Sequence, residues 1–224
     1  MKKDKILIIG GTGSLGASMV KKLKSSYKEI ILTHTRPSNN NIYQLDLEDA
    51  DSIKNLVSSL GNLNHVIFAA GYEPKRNLKN FDINHASKMF NIHVIGPMLL
   101  ISMIKEKFLS KSSITFISSV ASYKGSYDPT YAAAKGAINS LTRTLANELG
   151  PKIRVNSIAP SLINNSKVFR GMTPDFRDKH LKSSILNKFL SSNECSEAIL
   201  FLMSNNHITG EILHINGGQY FGWW

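Results

Sequence analysis

The chain has one cysteine, Cys195, in 224 residues. A single thiol excludes an internal disulfide, so stability must come from a packed core. That usage fits a reducing cytoplasm, which is the expected location. Long apolar runs are also scarce. The greasiest stretch, residues 92–104, is interrupted by His93, Gly96 and Pro97, and no membrane span is expected. The first five residues, Met-Lys-Lys-Asp-Lys, lead directly into a short apolar run and then glycines. A secretory signal needs a longer apolar region and a small-residue cleavage site, so none is expected.

Acidic side chains are few: 16 Asp and Glu against 27 Lys and Arg give a formal net charge of +11. Such an excess raises nucleic acid as a partner. The lysines are scattered, however, as at Lys21, Lys22, Lys24 and Lys28, and again at Lys179, Lys182 and Lys188. No basic run alternates with aromatics, and no nucleic-acid partner is expected. A phosphorylated cofactor or an anionic substrate accounts for the same charge. The seven histidines show no ligand-like spacing with one another or with Cys195, so no metal site is expected.

What is present is an ordinary globular balance, 42% hydrophobic and 19% charged, in a chain long enough for one well-filled core. Short β-branched runs alternate with longer helical periods. Strands are expected at residues 5–9, 29–33, 42–45, 65–70, 113–118, 153–158 and 211–215. Helices are expected at 14–25, 47–60, 86–108, 130–149 and 194–204. Continuous apolar strands spaced by helices imply a parallel sheet covered on both faces. The expectation is therefore an α/β fold, a Rossmann-type doubly wound sheet of about seven strands, forming a single domain over 1–224. Residues 161–192 break the rhythm and are placed to cover a ligand.

Gly10-Gly11-Thr12-Gly13-Ser14-Leu15-Gly16 joins the first strand to the first helix. Glycines there permit a tight turn and bring backbone N–H groups close to a pyrophosphate at a helix N-terminus. The second strand ends Leu32-Thr33-His34-Thr35-Arg36, with no acid to hold a ribose 2′-hydroxyl. Arg36 suits a 2′-phosphate instead, which favours NADP(H) over NAD(H).

Tyr131 and Lys135 lie four apart at the start of a helix, on one face. A nearby ammonium favours the phenolate, which fits Tyr131 for acid or base work on a carbonyl or alcohol oxygen. Ser119 stands 12 residues earlier, just after the apolar strand Ile114-Thr115-Phe116-Ile117. Ser119, Tyr131 and Lys135, with Ile153-Arg154-Val155-Asn156-Ser157-Ile158-Ala159-Pro160 and Ile215-Asn216-Gly217-Gly218 downstream, closely resemble the classical short-chain dehydrogenase/reductase family.

The resemblance implies a catalytic set of Ser119, Tyr131 and Lys135, with Ser119 orienting the reacting oxygen. It implies cofactor contacts at Gly10, Thr12, Gly13, Ser14, Leu15 and Gly16, and at Asp46 and Leu47 beside the adenine. Further contacts are implied at Ala69, Ala70 and Gly71, at Tyr131 and Lys135, and at Pro160 and Ile163 near the nicotinamide. Four positions that bear on the site depart from the family pattern. The glycine loop has Ile9 and Ser14 where the family has Thr and Gly. Ala69 replaces an Asn. His93 stands where the family has the Asn of a proton relay; it either joins that relay or is a satisfied core histidine. The Gly10, Gly13, Gly16 spacing also resembles the extended branch of the superfamily, whose extra C-terminal substrate domain is not expected here. The expected activity is reversible reduction of a small carbonyl substrate, and the alternative is a non-catalytic NADP(H)-binding regulator. A homodimer or homotetramer through helices 86–108 and 130–149 is implied. The aromatic tail, Tyr220-Phe221-Gly222-Trp223-Trp224, is expected at an interface or on its own subunit.

Overall fold

A computed structural model describes residues 3–36 and 42–219. Seven strands form one sheet: β1 (Lys3–Ile9), β2 (Tyr27–His34), β3 (Ile42–Gln44), β4 (Leu63–Phe68), β5 (Phe108–Ile117), β6 (Ile153–Pro160) and β7 (Ile212–Ile215). Their order is β3-β2-β1-β4-β5-β6-β7, and every pairing is parallel. Parallel neighbours need crossovers, and the intervening helices supply them on both faces. This is the expected doubly wound α/β sheet. The strand order reverses between β1 and β4, which opens the crevice where such sheets bind ligands.

The strands are apolar on both sides because both faces are covered. On one face Leu7, Ile9, Phe68 and Phe116 meet α2 (Ala50–Ser59), α4 (Gly96–Ile104) and α6 (Pro129–Leu149). On the other, Ile6, Ile8 and Ile67 meet Met19 of α1 (Ser14–Leu23) and Ile199 of α9 (Ser192–Ser204). Cys195, on α9, is free and fully buried, and burial pushes its thiol up to about 12. It behaves as a small apolar group rather than a nucleophile.

Several boundaries differ from the sequence expectation. The helix expected from residue 47 starts at Ala50, because the Asp49 carboxylate accepts from Asp51 N–H and caps it. Residues 86–108 are not one regular helix. Asp82 caps α3 (Ile83–Phe90), a π turn follows over Asn91–Ile95, then α4, and Phe108 already belongs to β5. The apolar spacing at Ile104 and Phe108 imitates one more helical turn, which hides the change to strand. The run Ile83–Lys107, 25 residues, is long and apolar enough by composition to cross a bilayer, a test that a core helix also passes. Its Leu100, Ile101 and Ile104 lie in the sheet's own core.

Residues 161–192 hold two short helices, α7 (Lys167–Gly171) and α8 (Pro174–Lys182). The excursion is pinched at its base, where Asn164 N–H donates to the Leu190 carbonyl at 2.8 Å. The aromatic tail, 220–224, lies outside the described residues.

Candidate active site

A cavity of about 960 Å³ opens at the C-terminal ends of β1, β4, β5 and β6, large for a small-molecule cleft. Its first wall is the glycine loop. Gly10 has φ +74, and a Cβ there would sit 2.6 Å from the Ala70 backbone. At Gly16 a Cβ would sit 2.1 Å from the Gly11 carbonyl oxygen. Both positions demand glycine, one for conformation and one for close packing of helix on loop. Gly10 N–H also donates to Thr33 Oγ1 at 3.1 Å, tying the loop to β2.

Gly13 caps α1 with no side-chain hydrogen bond, and the first turn carries no acid. The bare N–H groups at that end face the cavity through Ser14, Leu15 and Gly16. A phosphate suits that cradle. A dinucleotide therefore fits the residues present.

Gly10, Thr12 and Gly13 line the cavity too, as do Asp46 and Leu47, Ala69, Ala70 and Gly71, Pro160 and Ile163. Arg36 does not line it; the neighbouring Thr33, His34 and Thr35 do. Arg36 is exposed, and its backbone N–H donates to His34 Nδ1 at 2.9 Å.

Ser119, Tyr131, Lys135 and His93 converge on the same cavity. Ser119 follows β5, before α5 (Ala121–Lys124), and its Oγ accepts from Ala121 N–H at 3.1 Å. Its neighbour Ser118 is committed elsewhere, donating to Asn139 Oδ1 at 2.6 Å. Asn139 Nδ2 in turn donates to Ser122 Oγ at 2.9 Å, and Ser122 Oγ to the Ser119 carbonyl at 2.6 Å. This network fixes the end of β5 against α6 and so sets Ser119 opposite Tyr131 and Lys135. Sequence reasoning passed over it, although Tyr131, Lys135 and Asn139 form a polar stripe at four-residue spacing on one helix.

Asp128 was also missed. It is fully buried and caps α6, accepting from Thr130 and Tyr131 N–H on one oxygen. The other oxygen takes Lys75 N–H at 2.9 Å, Arg76 N–H at 3.2 Å and His85 Nε2 at 2.9 Å. Burial alone would raise this carboxyl, but the hydrogen bonds from Lys75, His85 and Arg76 outweigh it and hold it low. One side chain thus joins the loop after β4, α3 and the helix that carries Tyr131.

Electrostatics modify the expected role of the lysine. Burial, the largest influence, raises the Tyr131 phenol, and a hydrogen bond from Ser119 opposes it. Lys135 was expected to hold the phenol down. Its Nζ lies 5.6 Å from the Tyr131 ring centre, but burial lowers the ammonium itself from 10.5 to about 7. A cation that is half neutral near pH 7 exerts only part of its field. Lys135 Nζ donates to the Ile117 carbonyl at 2.7 Å and sits 3.3 Å from His93 Nδ1.

His93 is 3% exposed, and burial and the Lys135 charge keep it neutral. Its Nε2 meets the Tyr72 N–H at 3.1 Å and the Tyr72 carbonyl at 3.4 Å. A neutral imidazole has one N–H. Either Tyr72 N–H donates to Nε2 and Nδ1–H faces an uncharged lysine, or the lysine donates to Nδ1 and Nε2–H turns to the carbonyl. The two arrangements differ in the imidazole tautomer and, where the lysine is an ammonium, by one proton taken up from outside the pair. Among the described residues no group of three or more His, Cys, Asp or Glu is placed to hold a metal ion.

A family model described as enoyl-(acyl carrier protein) reductase matches residues 16–219. The chain belongs to the short-chain dehydrogenase/reductase family. These are oxidoreductases that act on CH–OH and C=O groups with NAD(P). The human 3-oxoacyl-[acyl-carrier-protein] reductase is 30% identical over 173 residues, 75% of this chain and 71% of that protein. The corresponding reductase FabG of Buchnera aphidicola is 32% identical over 232 residues, 97% of this chain and 88% of its own. Among solved structures, a short-chain dehydrogenase/reductase of Brucella melitensis, described as glucose/ribitol dehydrogenase, superposes with TM-score 0.88. It is 25% identical and covers 99% of this chain and 100% of its own. A small-chain dehydrogenase in complex with NADPH gives TM-score 0.84 at 26% identity, covering 99% and 100%.

Proposed function

We propose that this chain is an NADP(H)-dependent oxidoreductase that interconverts a small carbonyl compound and its alcohol. The observation that carries the proposal is the convergence of Ser119, Tyr131 and Lys135 in one cavity with the bare N-terminus of α1. NADP(H), when bound, supplies or takes the hydride. The loop from Gly10 to Gly16 holds the pyrophosphate, Asp46 and Leu47 the adenine, and Ala69 to Gly71 the adjoining ribose. Pro160 and the Ile163 backbone flank the nicotinamide, and Tyr131 and Lys135 its ribose. Arg36, just beyond β2 where an NAD-type acid is missing, turns in from outside the cavity's lining to meet the 2′-phosphate. The related structure that contains NADPH supports this choice.

Ser119 orients the substrate oxygen. Tyr131 gives that oxygen its proton during reduction, or removes it during oxidation. During reduction Lys135 Nζ returns a proton to Tyr131 and is recharged by solvent through His93 Nδ1; during oxidation the same path runs in reverse. His93 takes the place of the family's asparagine and lets the lysine exchange a proton with a neighbouring base. Residues 161–192 cover the substrate, consistent with Met172 and Phe176 lining the cavity. Free, buried Cys195 suits a reducing cytoplasm.

The test is titration of NADPH and NADH into the protein, followed by reduced-nicotinamide absorbance with a panel of ketones and aldehydes. NADPH is expected to bind at least roughly tenfold more tightly, as one charge-assisted contact allows. NADH binding as tight as NADPH contradicts the Arg36 assignment. Tight NADPH binding with no turnover of any carbonyl or alcohol favours the regulatory reading.

A further inference from the structure

The cavity continues past the reacting groups, where α5 and the 161–192 excursion form its wall. Three basic side chains line it there: Lys124, the last residue of α5, His180 on α8, and the exposed Arg170 on α7 at the rim. Other lysines lining the cavity are engaged. Lys88 pairs with Glu48, Lys167 pairs with Glu73 at 2.8 Å, and Lys135 is bonded to Ile117. Lys124 has no carboxylate partner among the described residues; burial alone lowers its ammonium. The lining carboxylates are placed elsewhere, Glu48 and Glu73 in those pairs and Asp46 in the turn after β3.

His180 is unsatisfied in a second way. Its Nδ1 is buried with no hydrogen-bond partner. Its ring packs on Phe176 at 5.7 Å, and Phe176 meets Tyr127 edge-on at 5.5 Å. The wall therefore runs from Tyr127, close to Asp128 and Tyr131 in the chain, through an aromatic ring to an imidazole. Burial lowers His180, and the Lys124 charge lowers it further. The two groups thus sense each other with no counter-ion between them. An anion bound there would relieve both: it favours the ammonium and the imidazolium and gives each donor an acceptor.

We propose that Lys124 and His180 form an anion subsite, and that the substrate is a small carbonyl compound bearing a carboxylate or phosphate group. The inference rests on the reductase reading only in that Ser119 and Tyr131 mark the carbonyl end. The tyrosine end sets where the oxygen sits, the aromatic wall carries the intervening carbons, and the cationic end selects the charged terminus.

The experiment compares matched substrates: acetoacetate against methyl acetoacetate, and dihydroxyacetone phosphate against dihydroxyacetone. Each is assayed by kcat/KM with NADPH in the intact protein, in Lys124→Gln and in His180→Gln. Lys179→Gln, which removes a charge from the same helix outside the cavity, is the control. The anionic member of at least one pair is expected to lead its neutral partner by about tenfold or more. That ratio should fall at least fivefold in Lys124→Gln and in His180→Gln, mainly through KM, and hold in Lys179→Gln. The pair that responds tells carboxylate from phosphate. Neutral members used equally well or better overturn the proposal, as does a ratio unchanged in both cavity variants. If no compound turns over, calorimetry on the NADP⁺-loaded protein decides. Tighter binding of an anionic member that is lost in both variants sustains the subsite while the reductase reading fails. Equal binding within both pairs overturns the subsite.

Discussion

Lys135 is the residue whose physics is most exposed to test. The residue is 4% accessible, and burial brings its ammonium from 10.5 to about 7. Between those two values the unfolded chain binds a proton that the native protein does not, so this group makes stability rise with pH across that window. Below about pH 7 both states are protonated, and the native state bears the whole cost of a buried cation. Lys135→Met is therefore expected to raise the melting temperature of the cofactor-free protein, most below about pH 7 and least near pH 10. A gain independent of pH would show that the lysine is not desolvated as described. The same variant is expected to lose turnover, because Tyr131 then has no neighbour through which to regain its proton. Stability and activity are in conflict at this position, as at other sites that hold a charge for function.

At the scale of elements, Asp128 decides whether the catalytic helix sits where it must. Asp128→Ala strands five donors and is expected to cost about 3–5 kcal/mol, since each buried donor left unpaired costs about 1–3 kcal/mol before the surroundings relax. Asp128→Asn should fall between the two. Its carbonyl still caps α6 at Thr130 and Tyr131, but its amide end cannot accept from Lys75, Arg76 or His85. Thermal unfolding and kcat of the three proteins check this order, and an Asn variant no better than Ala would contradict it. Asp128 could have been read as the cap of α6, since it precedes Pro129, but its bonds to Lys75, Arg76 and His85 span 53, 52 and 43 positions and no local pattern announces them. Tyr131 and Lys135 were legible because both sit on one helix, four apart. The strands were legible where apolar runs end in glycine or proline, as at Gly10 and Pro160. The π turn at Asn91–Ile95 was not, since its apolar spacing differs little from that of an α-helix. That turn carries His93, which lies against Lys135, so the least legible backbone bears on the residue proposed for the proton path.

For the whole molecule, the stretch from α3 to α4 has two sides. Leu100, Ile101 and Ile104 are in the core, whereas Ile95 and Met98 are 56% and 48% exposed. We propose that this outer side, the one the family resemblance implies, meets a second copy of the chain. Replacing Ile95 and Met98 together with lysine leaves the buried face intact and is expected to shift the sedimentation mass toward monomer. A mass unchanged by the double variant places the interface elsewhere. The sheet order β3-β2-β1-β4-β5-β6-β7 sets the glycine loop, Ser119, Tyr131 and Lys135 around one cavity at the C-terminal ends of the strands, with residues of 161–192 beside them. All of the proposed chemistry passes through one phenol at that edge. The most direct measurement is single-turnover oxidation of bound NADPH by a carbonyl substrate in Tyr131→Phe against the unaltered protein, with NADPH affinity measured in both. Loss of a positioned general acid predicts a rate lower by roughly 10²–10⁴ with affinity nearly unchanged. A Tyr131→Phe protein that turns over within a few-fold of the original would contradict the account.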